Sequence, residues 1–109
     1  MKKIFLFLLA FFFTVHIIAQ NIGIGTSTPN TSAMLDITAT NKGLLIPQVS
    51  LTGVNDNTTI PGPPTSLLIY NMSNAGAGAG AVTPGYYYWD RLLLIWIRFT
   101  DALHQQNWM

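Results

Sequence analysis

After an apolar start, the hydrophobic residues of this chain come in short runs separated by turn-forming residues. No long stretch places apolar residues three to four positions apart, so the pattern does not favour amphipathic helices. The runs are rich in Leu, Ile, Tyr and Trp and are bounded by Gly, Pro and Asn, which is typical of strands and turns. The pattern predicts strands over residues 33–38, 43–49, 66–72, 85–90 and 92–99.

These strands predict a mainly β fold: a small sheet or hairpin module with long loops. Pro47 lacks an amide hydrogen, so the strand over residues 43–49 must be an edge strand or a broken one. The sequence Asn-Lys-Gly at 41–43 predicts a tight turn in which Gly43 takes a positive φ. Two longer loops are predicted over residues 52–64 and 74–85. The second contains an Ala-Gly alternation, which we interpret as a flexible connection, with silk-like stacking as the alternative.

The last two predicted strands form a hairpin about Asp90 and Arg91. Alternation along residues 92–99 places Trp96 and Arg98 on one face and Ile95 and Ile97 on the other. Both faces are largely apolar, so the strand should be covered on both sides. In so short a chain, another subunit is a natural second layer.

The start of the chain has the order of a secretory signal peptide. Lys2 and Lys3 precede an unbroken apolar run over residues 4–13, and a small residue, Ala19, follows. The apolar stretch is shorter than the roughly 20 residues that span a membrane. We therefore predict a signal peptide over 1–19, cleaved between Ala19 and Gln20, with an uncleaved anchor as the alternative. The rest, 20–109, is expected to be one secreted β-rich module.

Composition narrows the class of function. Without the leader the chain has three cationic side chains and four aspartates, so its net charge is −1 and no basic patch for nucleic acid is present. It has no cysteine, so no disulfide compensates for its small size. Small and polar residues are abundant. We therefore expect the monomer to be an incomplete folding unit that associates with further copies.

Candidate chemistry is sparse. The stretch "NIGIGTSTPN" contains Gly23 and Gly25 but lacks the third glycine and the strand–loop–helix context of a phosphate loop. We interpret it as an extended segment whose glycines allow close backbone approach. His104 stands alone, and the aspartates lie in separate segments, so a secreted hydrolase is the weakest alternative. Asp56 lies between two asparagines, which favours turn chemistry over a calcium site. We predict no enzyme activity, no cofactor and no metal.

The aromatic run at residues 86–89 is the remaining candidate for binding. Alternation sends Tyr86 and Tyr88 to one face of the strand and Tyr87 and Trp89 to the other. Packing in the core or an interface is the simpler interpretation, and stacking on a surface glycan is the alternative. The candidates for ligand or interface contact are Tyr86, Tyr87, Tyr88, Trp89 and Trp96.

Several short motifs occur together in a fixed order along residues 21–99. They are G-I-G-T at 23–26, Pro29, L-D-I at 35–37, K-G at 42–43, L-I-P at 45–47, L-L-I-Y-N at 67–71 and G-Y-Y-Y-W-D at 85–90. In this order they resemble the N-terminal module of bacterial tail-fibre-like proteins from the surface of Gram-negative bacteria. The hairpin departs from that pattern, because "RLLLIW" replaces a short Gly/Ser turn and a nearer Trp.

The resemblance implies a secreted or cell-surface structural protein, often a homotrimer. Longer members of the family continue into a self-cleaving chaperone domain of the endosialidase type, and we expect this chain to be a fragment or a truncated gene product without it. We therefore expect a non-enzymatic, exported structural module of a fibre-like assembly. A carbohydrate-binding or adhesin head that uses the run from Tyr86 to Trp89 is the alternative.

Overall fold

The computed structural model describes residues 20–100, together with Lys3. The predicted leader therefore lies outside the described residues except for Lys3, so its cleavage after Ala19 is not tested. His104 also lies outside them. The fold is mainly β, as predicted, and residues 20–100 contain no α-helix. The strands are β1 (Ile22–Ile24), β2 (Leu35–Ile37), β3 (Gln48–Val49), β4 (Leu68–Asn71), β5 (Gly85–Asp90) and β6 (Ile95–Arg98), with one 3-10 turn at Gly78–Gly80.

The chain divides into two compact units, Met1–Gly43 and Leu44–Met109. In the first, β1 and β2 form a two-stranded parallel ribbon that pairs Ile22 with Leu35 and Ile24 with Ile37. Sequence reasoning predicted β2 but described β1 only as extended. The close backbone approach predicted for its glycines is present at Gly25, where φ is +77° and an added Cβ would overlap the carbonyl oxygen of Thr38.

The second unit contains a four-stranded sheet in the order β3-β4-β5-β6. β3 is parallel to β4, and the remaining neighbours are antiparallel. β3 lies at the edge and begins only after Pro47, so the predicted strand over 43–49 is shortened to its last two residues. Pro47 still participates, because its carbonyl oxygen accepts a hydrogen bond from the Tyr70 amide.

The hairpin between β5 and β6 differs from the prediction in its turn. β5 has the predicted bounds, but residues 91–94 form the turn and β6 begins at Ile95 rather than at Leu92. The cause is Asp90, whose carboxylate accepts hydrogen bonds from the amides of Leu92 and Leu93 and so holds the chain in a turn. Leu94 closes the turn with a φ of +55°.

One face of this sheet carries the core. Ile69, Tyr87, Trp89 and Trp96 are almost fully buried there, and the rings of Trp89 and Trp96 meet edge to face at 5.2 Å. Loops, rather than helices, supply the covering layer. They contribute the buried Leu51 and Val82 and several half-buried residues: Val54, Ile60 and Ala75.

The predicted loops connect the expected elements, with one error of detail. The Ala-Gly segment links β4 to β5 and is closed by a β-bridge between Ala75 and Val82. The carbonyl oxygen of Gly80 in this segment accepts a hydrogen bond from the Val54 amide, which ties the two long loops together. The prediction of a positive φ at Gly43 was wrong: the chain bends at residues 40–41, and Gly43 does not have a positive φ.

Candidate functional site

The face of the sheet opposite the core is also apolar, and several of its side chains are exposed. Cross-strand pairing places Leu68 beside Tyr88, Tyr70 beside Tyr86, and Tyr88 beside Ile97 on this face. Leu68, Tyr86 and Phe99 are 37%, 47% and 54% exposed, whereas no core residue on the other face exceeds 3%. We call this surface the outer face and define it by its side chains: Leu68, Tyr70, Tyr86, Tyr88, Ile95, Ile97 and Phe99.

Aromatic pairs hold the outer face in a fixed shape. The rings of Tyr70 and Tyr86 meet edge to face with centroids 5.0 Å apart, and those of Tyr88 and Phe99 lie 5.4 Å apart at a tilt of 47°. These separations are those of favourable aromatic pairs, which add about 0.5–1.5 kcal/mol beyond the area they bury. The outer face is therefore an ordered apolar surface before any partner binds.

A groove of about 300 Å³ lies at the β3 edge of this face. Its walls are Leu45, Ile46 and the two rings of Tyr70 and Tyr86, and Gln48 supplies an amide group. Aromatic rings beside an amide can pack against a sugar ring or against another protein side chain. None of the residues that line the groove is charged.

The structure separates the predicted site residues into two groups. Tyr86 and Tyr88 lie on the outer face, whereas Tyr87, Trp89 and Trp96 lie in the core. The polar atoms of Tyr87 and Trp96 already have hydrogen-bond partners. The Tyr87 hydroxyl accepts from the Thr83 amide and donates to the Thr83 carbonyl oxygen, and the Trp96 indole N–H donates to the carbonyl oxygen of Asp56 at 2.6 Å. Only Tyr86 and Tyr88 remain available to a ligand or a partner.

Asp56 is the one carboxylate buried among residues 20–100. It accepts hydrogen bonds from the backbone amides of Thr52, Thr58 and Thr59 and from two threonine hydroxyls. Burial alone would raise the pKa of Asp56, but these bonds, led by those from Thr59, outweigh burial and lower it far below its usual value. The carboxylate is thus a turn cap that is charged at neutral pH. Among the described residues, no cluster of three or more His, Cys, Asp or Glu side chains could hold a metal ion.

Sequence reasoning missed Asn71, the most completely buried polar side chain of the described chain. Its amide oxygen accepts from the backbone amides of Leu51 and Ser73, and its amide nitrogen donates to the carbonyl oxygens of Ser73 and Thr83. Asn71 therefore joins the end of β4 to both long loops. The sequence showed Asn71 only at the end of the L-L-I-Y-N motif, where a turn residue and a buried linker look alike.

Comparison with known protein families assigns the chain to a family. Residues 23–107 match the model of the phage tail like trimerisation region. The chain belongs to this family. The match covers both units, from β1 to beyond β6, and it supports the predicted resemblance to a tail-fibre-like trimerising module. The family is defined as a structural trimerisation region and not as a catalytic domain.

No curated protein and no solved structure matches the chain significantly. Within the part of the chain that the structure describes, no helix is long and apolar enough to cross a membrane.

Proposed function

We propose that this chain is an exported structural module that forms a homotrimer in a cell-surface or fibre-like assembly. The observation that carries the proposal is the outer face, an ordered apolar surface of a sheet whose other face already holds the core. A monomer that leaves such a face in water is marginally stable, because chains of this size bury only about 60–65% of the surface that the unfolded chain exposes. In a family of trimerisation regions, the natural cover for this face is the same chain.

The first experiment tests trimerisation. The full chain is purified from the compartment in which it accumulates in a Gram-negative host, and its mass is measured by light scattering at micromolar concentration. We expect three times the protomer mass for the wild type. Tyr86→Lys places a charge on the outer face and should yield monomer, whereas Asn74→Lys, at an exposed loop position, should leave the trimer intact.

Retention of the core in the monomer is checked by circular dichroism of the Trp89–Trp96 pair, whose rings lie close enough to couple. A wild-type chain that is a compact monomer at micromolar concentration would refute trimerisation. A Tyr86→Lys trimer as tight as the wild type would show that the outer face is not the contact.

The second experiment tests export. The leader, with Lys2 and Lys3 before the apolar run and Ala19 at its end, supports secretion through a cleaved signal peptide. N-terminal sequencing of protein recovered outside the cytoplasm should begin at Gln20, and protease added to intact cells should digest surface-displayed protein. Recovery of uncleaved chain from the cytoplasm alone would contradict this part of the proposal.

The groove at Tyr70 and Tyr86 favours a second candidate, an adhesin that binds a surface glycan. Its rings and the Gln48 amide are the groups that such a ligand would use. Tyr86→Ala should then abolish binding on a glycan array while the trimer persists. If Tyr86→Ala instead disrupts the trimer, and the wild type binds no glycan, the aromatic groove is a protein contact.

A further inference from the structure

The ribbon of the first unit has an apolar face of its own. In a parallel pair, residues in register point to the same side, so Ile22, Ile24, Leu35 and Ile37 share one face. These four side chains are 39–61% exposed. Gly23 and Asp36 lie in register on the opposite side, where the Asp36 carboxylate accepts a hydrogen bond from the Asn30 amide.

The ribbon has no core with which to stabilise itself. Throughout residues 20–43, all of which the structure describes, no residue is buried. The pairing rests on three residues per strand and on backbone hydrogen bonds such as Ile22 to Met34 at 2.7 Å and Thr38 to Ile24 at 2.9 Å. Two-stranded sheets of this size are at best marginally stable in water. The ordered ribbon therefore requires a cover for its aliphatic face.

We infer that this face packs against the same face of two other copies, so that the ribbon is a second trimer contact, separate from the outer face. The inference rests on the proposed homotrimer. The match to the trimerisation family begins at Gly23, inside β1, so the ribbon is part of the trimerising region. The four side chains are uncharged, so three identical faces can meet without repulsion. Closed rotational symmetry would give all three copies the same contact through this face.

The test adds a charge to the ribbon and measures the trimer dissociation concentration of the full chain by sedimentation. Ile24→Asp should raise that concentration by at least about tenfold, because a carboxylate would enter an apolar contact. Ser27→Asp is the matched control, since it adds the same charge to an exposed position of the same unit without disturbing a hydrogen bond found in the structure. The control should match the wild type.

A double variant, Ile24→Thr with Leu35→Thr, addresses the alternative that Ile24→Asp weakens the trimer only by unfolding the ribbon. Threonine retains strand preference but removes apolar surface, so the dissociation concentration should again rise while the Trp89–Trp96 signal stays unchanged. Single cysteines give an independent measure, since the chain has none of its own. A short thiol cross-linker should join copies of Ile24→Cys far more efficiently than copies of Ser27→Cys.

The outcomes separate the two proposals. If the wild type is monomeric, the proposed function itself fails. If the wild type is a trimer, but both ribbon variants dissociate like Ser27→Asp and the two cysteine variants cross-link equally, the ribbon is not a trimer contact and the homotrimer stands.

Discussion

Asp56 is the residue on which the large loop of the second unit depends. It is 5% exposed, and its oxygens accept hydrogen bonds from the backbone amides of Thr52, Thr58 and Thr59. Asp56→Ala should lower the free energy of unfolding by about 3 kcal/mol, because three amides lose a charged acceptor. Urea denaturation followed by tryptophan fluorescence, at one protein concentration, measures the change. Asp36→Asn, in the other unit, should cost well under half as much; equal losses would contradict a special role for Asp56.

The same carboxylate makes stability depend on pH. The pKa of Asp56 is lowered in the folded chain, so its contribution is complete above the pKa of an unfolded aspartate, about 3.9. That contribution is lost as the pH falls below this value toward the folded pKa. We expect the urea midpoint to be level above about pH 5 and to fall below pH 4. Asp56→Asn should flatten this fall, and an unchanged acid profile would disprove the assignment.

Leu94 carries backbone strain. Its φ of +55° is in the left-handed region, where a residue with a Cβ costs roughly 1–2 kcal/mol relative to glycine. Leu94→Gly should stabilise the chain by about 0.5–1 kcal/mol, after allowing for the greater unfolded-state freedom of glycine.

The matched control for Leu94→Gly is Leu92→Gly in the same turn. Leu92 is even more exposed, but its φ is not positive, so glycine there should be neutral or destabilising. Thermal unfolding of the two variants at equal concentration makes the comparison. A stabilised Leu92→Gly, or a destabilised Leu94→Gly, would show that contacts of the Leu94 side chain outweigh the strain.

At the scale of the elements, Asn71 makes the sheet and its loops cooperative. It is completely buried, and both ends of its amide are hydrogen-bonded to segments 51, 73 and 83. Asn71→Ala should cost about 3 kcal/mol, because four backbone groups lose a partner. Hydrogen exchange should show faster exchange at the Leu51 and Ser73 amides, which donate to it. Ser50→Ala, at an exposed neighbouring position, is the control. If the Leu51 and Ser73 amides also exchange faster in Ser50→Ala, the effect is not specific to the hydrogen bonds of Asn71.

Comparison of the strands with their predicted bounds shows where the local sequence pattern was sufficient to predict an element. β5 has exactly the bounds that its aromatic alternation predicted, because every second side chain enters the core. β6 begins three residues later than predicted, since the Asp90 cap competes with strand extension and apolar content alone does not reveal a cap. β1 was missed because its glycines make it look like a loop until its partner β2 is known.

At the scale of the whole molecule, trimerisation couples folding to concentration. If association covers the exposed apolar faces, the midpoint of thermal unfolding should rise by roughly 2–5 °C for each tenfold increase in protein concentration. Differential scanning calorimetry from micromolar to near-millimolar protein checks this. Tyr86→Lys, the proposed monomer, should show a midpoint that does not change with concentration. A concentration-independent wild type would mean that each copy folds alone.

The β class, the alternation of faces in the last hairpin and the shortage of core could all be read from the amino-acid sequence, because they follow from residues close together in the chain. Its ordered motifs also pointed to a trimerising tail-fibre-like module. Three features required the folded structure. The Trp96 indole donates a hydrogen bond to the carbonyl oxygen of Asp56, 40 residues away, Asn71 bonds to two loops, and Tyr86 and Tyr88 lie on the outer face. Such partners depend on how distant segments meet in space, and a linear pattern of apolar and polar residues contains no information on which loop will cover which face.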